Sequence, residues 1–302
     1  MQIRQPSSSR NPYRVLDLVG RVFVTGALVL FSIACLVPLL LIISASFTTE
    51  MGITKNGYSL IPSEFTTAAY RYILADPSQI LRAYGVTLTV TLVGTGLGLP
   101  ITAMLAYTLS RQNFAARRAL SFYVFFTLLF NGGLIPFYLF VVQTLKMKDN
   151  LLILILPLMV GGWNVLILRT SFAQLPEDLL DAARIDGAGE FRIFWQVVVP
   201  ISTPVLATVG LFMLLSFWND WWMSLLFISN KAFYSIQFLL YNLNASIQAL
   251  QSNPEILARF GGELPAQGAR MALALLAIGP IAFVYLFLQR YLIRGITIGS
   301  IK

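Results

Sequence analysis

Apolar residues in this chain come in long unbroken blocks rather than in the alternating or 3.6-residue pattern of a half-buried element. Six candidate spans carry no charged residue: Val22–Thr49, Ala83–Ser110, Ala119–Leu145, Asn150–Leu168, Ile193–Asn219 and Met271–Gln289. A bilayer core about 30 Å thick needs roughly 20 apolar residues of helix. In lipid the backbone polar groups must be satisfied within the segment, which leaves helices for stretches of this kind. The pattern predicts an all-α polytopic membrane protein. Its six transmembrane helices are expected at about 22–47, 85–109, 120–145, 150–168, 200–222 and 271–290, in a single permeation domain covering 1–302. A seventh candidate, Trp221–Asn230, is too short to cross and is expected to end span five or to be re-entrant.

The first stretch follows Arg4, Arg10 and Arg14, as the apolar region of a signal peptide would. Its uncharged length is about twice that of such a region, so an uncleaved helix is expected. Short basic segments mark the cytoplasmic side. Arg4, Arg10, Arg14 and Arg21 precede span one, Arg111, Arg117 and Arg118 follow span two, and Arg290, Arg294 and Lys302 follow span six. With an even number of spans, both termini and the segment 169–199 are expected in the cytoplasm. Pro38, Pro100, Pro136, Pro157, Pro204 and Pro280 fall in or near spans, where neighbouring helices can re-satisfy the freed carbonyls. Gly94, Gly96 and Gly98 suit close helix packing.

Composition acts mainly by exclusion. The chain has 302 residues, 57% hydrophobic and only 11% charged, against about 25% charged in a soluble domain. It has no histidine and a single cysteine, Cys35. Histidine-based triads, histidine metal ligands and intramolecular disulfides are therefore excluded. The net charge of +8 belongs to the topology rather than to a nucleic-acid partner.

One segment is unlike the rest. Between spans four and five runs Leu175-Pro176-Glu177-Asp178-Leu179-Leu180-Asp181-Ala182-Ala183-Arg184-Ile185-Asp186-Gly187-Ala188-Gly189, with Phe194 and Pro200 beyond it. Pro176 suits the start of a helix, and Glu177, Asp178 and Asp181 favour the positive end of its dipole. Leu179, Leu180, Ala183 and Ile185 supply an apolar side, and Gly187 is a natural stop. A helix lying at the headgroups would carry a basic polar face. This one has five acidic residues between 177 and 190 against Arg184 alone, so docking to another protein is the better account.

Asp181-Ala182-Ala183, Asp186-Gly187-Ala188, Phe194 and Pro200 resemble the EAA loop of permease subunits in binding-protein-dependent ABC importers, with Asp181 in place of the usual glutamate. The six-span plan and the tail Gln289-Arg290-Tyr291 with Gly295-Ile296-Thr297-Ile298-Gly299-Ser300 are similar to the maltose-type carbohydrate branch. Asn131-Gly132-Gly133-Leu134-Ile135-Pro136 resembles the subgroup for larger or acidic oligosaccharides such as alginate or pectin fragments. The resemblance implies the MetI-like permease fold in a bacterial inner membrane. The loop 175–199 would couple to a cytoplasmic ATPase through Asp181, Ala182, Ala183, Asp186, Gly187 and Ala188. It also implies a second permease subunit, two ATPase copies that bind ATP and Mg, and an extracytoplasmic solute-binding protein. The chain itself has no Gly-x-x-x-x-Gly-Lys loop, so no cofactor is expected in it.

For the solute, Trp218-Asn219-Asp220-Trp221-Trp222 offers rings for C–H faces and polar groups for hydroxyls. An interfacial aromatic belt is the alternative. Asn131, beside Gly132 and Gly133, is expected to break span three, as a kink or as an unwound segment near the pathway. The pathway residues expected are thus Asn131, Trp218, Asn219, Asp220 and Trp221. Long connections, about 37 residues from Thr48 to Tyr84 and about 40 from Asn230 to Ala269, suit contact with a binding protein or a plain spacer. Arg71, Arg82, Lys231 and Arg259 are compatible with an acidic solute. A secondary transporter or channel would show an internal repeat or paired ionisable residues at mid-membrane, and neither is visible. A membrane enzyme lacks a nucleophile–base pair.

Overall fold

The computed structural model describes residues 14–252 and 265–298. Arg4, Arg10, Arg259, Gly299, Ser300 and Lys302 lie outside them. Among the described residues no strand forms, and one isolated bridge pairs Thr48 with Phe65. Three helices among the described residues are long and apolar enough to cross a membrane: Gly20–Ser46, Pro77–Ser110 and Ala266–Leu286. Three bent helix pairs bring the number to six if each pair is one span.

Contacts divide the described residues into 14–72 with 265–275, and 73–252 with 276–298. In the first unit α1 (Arg14–Ser46) carries Pro38 within it. Its side chains from Val22 to Leu36 stand exposed, an apolar surface for lipid or another hydrophobic chain to cover. The helix stops where Ser46 turns its hydroxyl to Tyr70 Oη at 2.9 Å and Phe47 stacks on Phe65. Thr49 then caps α2 (Glu50–Asn56), accepting the Gly52 N–H at 3.0 Å. A short α3 (Ala68–Ile73) follows. Glu50 accepts the backbone N–H of Gln267 at 2.9 Å, so a carboxylate sits at the positive end of the last long helix, Ala266–Ile298.

The second unit is built on α4 (Pro77–Ser110), whose 34 residues reach about 50 Å. α12 (Thr203–Trp218) and α8 (Gly162–Phe172) make their most extensive contacts with it. The reason lies in two glycines of the sequence triplet. A Cβ on Gly94 would overlap the Phe217 ring, and one on Gly98 would stand 2.6 Å from Met213 Cε and 2.7 Å from the Met159 carbonyl. Gly96 meets nothing, so the close approach uses one face of α4, four residues apart.

The bent pairs fall where the sequence frees backbone groups. α5 (Arg117–Leu129) and α6 (Leu134–Leu139, extended by a π-helical turn Phe140–Thr144) meet at 110°. Between them Asn131 Oδ1 accepts the Gly133 N–H at 2.9 Å and Gly133 adopts φ +89°. That local bond replaces the helical one and turns the chain. α7 (Leu152–Ile155, with a 3-10 turn Leu156–Leu158) bends by 45° into α8 at Pro157 and Gly161. The third pair bends by 87° at Ser202, between Pro200 and Pro204. Each proline removes a helical donor.

The short turn 145–151 is anchored to the region after α12. Asp149, at φ +57°, donates its N–H to the Phe227 carbonyl and accepts the N–H groups of Ser229 at 2.6 Å and Asn230 at 2.8 Å. Those N–H groups, Asn230 first, hold the carboxyl below its ordinary value. A depressed folded value contributes stability above the unfolded value near 3.9, and that contribution is lost as pH falls through the folded one. Asp149→Asn keeps the positive φ tolerable and removes only the charge. Hydrogen exchange at pH 7 should then show faster exchange at Ser229 and Asn230, an effect the native chain shows only below roughly pH 4.

Candidate functional site

The segment between α8 and α12 folds as its residues dictate. α9 (Glu177–Ile185) begins after Pro176 with Glu177 and Asp178 in its first turn and has Arg184 in its last. Leu180 is fully buried, Ala183 partly so, while Leu179 and Ile185 face outward, Ile185 at 86% exposure. The helix ends in a Schellman motif: Ala188 N–H reaches the Ala183 carbonyl at 3.0 Å and Gly187 N–H reaches Arg184 at 2.9 Å. Gly187 adopts φ +78° to allow it. This explains the spacing of the small residues. Ala183 and Ala188 are the two positions whose side chains meet when the motif closes, and both pack against the core. α10 (Glu190–Ile193) then leads through a π-helical turn, Phe194–Val198, into α11 (Val199–Ile201).

Charged groups fasten this loop to α4. Arg184 donates to Asp181 Oδ1 at 2.7 Å and, through Nε and Nη2, to Glu190 Oε1 at 3.0 and 2.9 Å. The other Glu190 oxygen accepts the Tyr107 hydroxyl at 2.7 Å. Glu190 and Asp181 raise the Arg184 pKa above its ordinary value, so its charge is permanent. The pairs are half exposed, so each contributes about 0–1 kcal/mol. Their effect is directional: they set the angle of α9. Burial of Leu180, about 1.5–3 kcal/mol, holds it down.

Tyr107 belongs to a junction of four helix ends. Its ring packs near Phe172 and Phe194, and the Arg111 guanidinium lies 5.0 Å over it. Arg111 donates to the Phe172 carbonyl at 2.7 Å, and Arg117 and Arg169 both donate to the Leu109 carbonyl, at 3.1 and 3.3 Å. The last carbonyls of α4 and α8 are thus capped by guanidinium groups. A core of Ala106, Leu168, Phe172, Leu180, Ile193 and Phe194 fills the junction. α9 is thus joined to the ends of α4 and α8 by side chains in contact.

Of the loop residues expected to couple, Asp181, Ala182, Asp186 and Gly187 are exposed, and Ala183 and Ala188 are partly buried. Sequence reading passed over Tyr107 and Glu190. Arg184 lies three residues after Asp181 and six before Glu190, a spacing that could have marked the triplet, but nothing in the sequence points to Tyr107.

The five pathway residues are distributed differently. Trp218 is buried, its indole N–H donates to the Ala277 carbonyl at 3.1 Å, and its ring lies near Tyr84. Asn219 is exposed and bonds back to Leu215 at 3.0 Å. Asp220 is partly buried, and its side chain faces the Met223 N–H at 3.4 Å, at the start of α13 (Trp222–Phe227). Trp221 stacks on Tyr241 of α14 (Ile236–Gln251) at 4.8 Å and meets Trp222 edge-on. Trp221, Trp222 and Tyr241 are the open rings. Asn131 is exposed at the α5–α6 turn, and no hydrogen bond or ring contact joins it to this group among the described residues. The uncharged piece 221–230 is thus a separate short helix after a turn.

Comparison with known proteins agrees with this architecture. Residues 96–298 match the family described as binding-protein-dependent transport system inner membrane component. The chain is 35% identical to Protein LplC of Bacillus subtilis, over 96% of this chain and 95% of that protein. It is 34% identical to the polygalacturonan/rhamnogalacturonan transport system permease protein YtcP of the same organism, over 96% and 99%. Among solved structures, a chain from a bacterial ABC transporter involved in the import of the acidic polysaccharide alginate superposes with a TM-score of 0.77. That match has 26% identity and covers 95% of this chain and 99% of the other.

Proposed function

Because the chain belongs to the family of binding-protein-dependent transport system inner membrane components, we propose that it is one permease subunit of an ATP-driven importer for an acidic oligosaccharide of the pectin or alginate kind. The relatives named for polygalacturonan and rhamnogalacturonan, and the alginate importer, support that solute class. In this reading the chain lines half of the path. A second permease lines the other half, a solute-binding protein delivers the oligosaccharide outside, and two ATPase copies hold ATP and Mg in the cytoplasm.

One observation carries the coupling role: α9 presents an outward apolar and acidic face while Arg184, Glu190 and Tyr107 tie it to α4. Asp181, Ala182, Asp186 and Gly187 form the face a partner would grip, and Ala183 and Ala188 close the motif that shapes it. A push on α9 then moves the junction as a body. Beside it, a cavity of about 640 Å³ between α8 and α12, lined by Trp163, Thr170, Gln174 and Ser202 among others, would change shape first. On the opposite side, Trp221 with Tyr241, and Asn131 and Asn219, offer stacking faces and amide groups to a sugar. Trp218 and Asp220 hold those elements in place.

The test is purification of the tagged full-length chain from its native host in mild detergent, with crosslinking. An ATPase and a second polytopic protein should accompany it in stable ratio. Hydrolysis should rise when the matching binding protein and an oligogalacturonide or alginate oligomer are added. A chain that purifies without an ATPase even after crosslinking would overturn the reading in favour of a secondary transporter.

A further inference from the structure

Basic residues at the end of α4 do more than cap carbonyls. Gln112, Phe114, Ala115, Arg117, Arg118, Ser121 and Arg169 line a cavity of about 780 Å³, between the 111–116 connection, the first turns of α5 and the last turn of α8. Three guanidinium groups border it and no carboxylate does. Arg117 and Arg169 each spend Nε on the Leu109 carbonyl, which orients both planes, and among the described residues no hydrogen bond takes up their terminal N–H groups. Arg118 and Ser121 lie three residues apart and Arg117 and Ser121 four, so all three share one helix face. The Ser121 hydroxyl is buried and has no hydrogen-bond partner among the described residues. The cavity also opens at the N-terminus of the 13-residue α5, where the helix dipole favours an anion.

We infer that this cavity binds the phosphate of an anionic phospholipid headgroup. Guanidinium groups with no carboxylate in the cavity lining, those of Arg117 and Arg169 fixed by their own Nε bonds, match a phosphate, which accepts from several N–H groups at once. A lipid is the fitting source because α5 continues from the cavity with Leu120, Phe122 and Tyr123 exposed, an apolar and aromatic strip along which acyl chains can lie. Basic pockets at the ends of membrane helices recognise headgroups in this way. A bound phosphate would bridge α5 and α8 through Arg117, Arg118 and Arg169. It would thereby brace the junction to which the loop 175–199 is tied.

The experiment uses the full-length chain purified with its native subunits and stripped of lipid in detergent. Phosphatidylglycerol, phosphatidylcholine or inorganic phosphate is then added, with thermal unfolding and native mass spectrometry as readouts. Phosphatidylglycerol should raise the unfolding temperature and remain attached as a discrete adduct, whereas phosphatidylcholine should do neither. Arg118→Gln leaves the Leu109 carbonyl contacts untouched and should weaken adduct retention roughly tenfold, the effect of one charge-assisted bond. Arg117→Gln with Arg169→Gln should remove it, and Ser121→Ala should weaken it less. Equal retention of phosphatidylglycerol by Arg118→Gln and the native chain would overturn the proposal. So would equal protection by phosphatidylcholine, or by inorganic phosphate, the latter reassigning the cavity to a soluble anion.

Discussion

Gly187→Val should abolish transport while leaving the membrane fold intact. Gly187 closes the α9 Schellman motif at φ +78°, a conformation that costs an ordinary L-residue roughly 1–2 kcal/mol and a β-branched one the most. The motif also holds two backbone bonds, each contributing about 1 kcal/mol. Release of those bonds would let the end of α9 swing away from the angle that Arg184 and Glu190 set. No atom lies within 4 Å of a Cβ placed there, so the bundle itself meets no clash. The expected result is normal membrane insertion, with import and solute-stimulated ATP hydrolysis both reduced more than roughly tenfold, the scale of about 1.4 kcal/mol or more. Gly187→Asn, which tolerates the left-handed region, should retain most activity, and Gly187→Ala should fall between. Equal transport by the Val variant and the native protein would remove this loop from the coupling role.

Gly98→Leu should have the opposite profile, a loss of the folded bundle itself. The added Cβ alone would stand 2.7 Å from the Met159 carbonyl, a backbone atom that cannot step aside as the Met213 side chain can. Met159 lies at the bend between α7 and α8, so that bend would have to give, and moving α12 away to free Met213 would also open the Gly94–Phe217 contact four residues along the same face. Overpacking of a well-filled site costs about 1–3 kcal/mol. Helix association in lipid rests largely on such close contact. Reduced yield of monodisperse protein and a lowered unfolding temperature are expected, measured with Gly96→Leu as the control. Gly96 lies on the same helix two residues away with open space around it, so its replacement should be near neutral. If both substitutions behave alike, the interlock of α4 and α12 is not what holds the second unit.

These two glycines show where sequence reading succeeds and where it stops. The triplet at 94, 96 and 98 pointed to close packing, but spacing alone could not say that 94 and 98 face α12 and that 96 does not. In the same way Asn131-Gly132-Gly133 marked an interruption, yet its size, a turn of 110° between α5 and α6, depends on what each arm packs against. The aromatic run from Trp218 to Trp222 reads as one cluster. In the fold Trp218 turns inward to the Ala277 carbonyl while Trp221 stacks on Tyr241.

What the chain's order of residues determined alone is what depends on local composition and period. Uncharged blocks of spanning length require helices, because backbone groups in lipid have no other partner. The acidic first turn, the Ala-Ala pair and the glycine stop define α9 by bonds within a dozen residues. The same short segment carries the resemblance to the family to which the chain belongs. What the tertiary structure decided is every pairing between distant positions: Tyr107 with Glu190, Arg117 and Arg169 on one Leu109 carbonyl, Phe217 against Gly94. Those partners lie some 60 to 120 residues apart except for Arg117. No period or spacing encodes such contacts. They exist because helix ends were brought together by packing, and only then could a guanidinium or a hydroxyl find the group it satisfies.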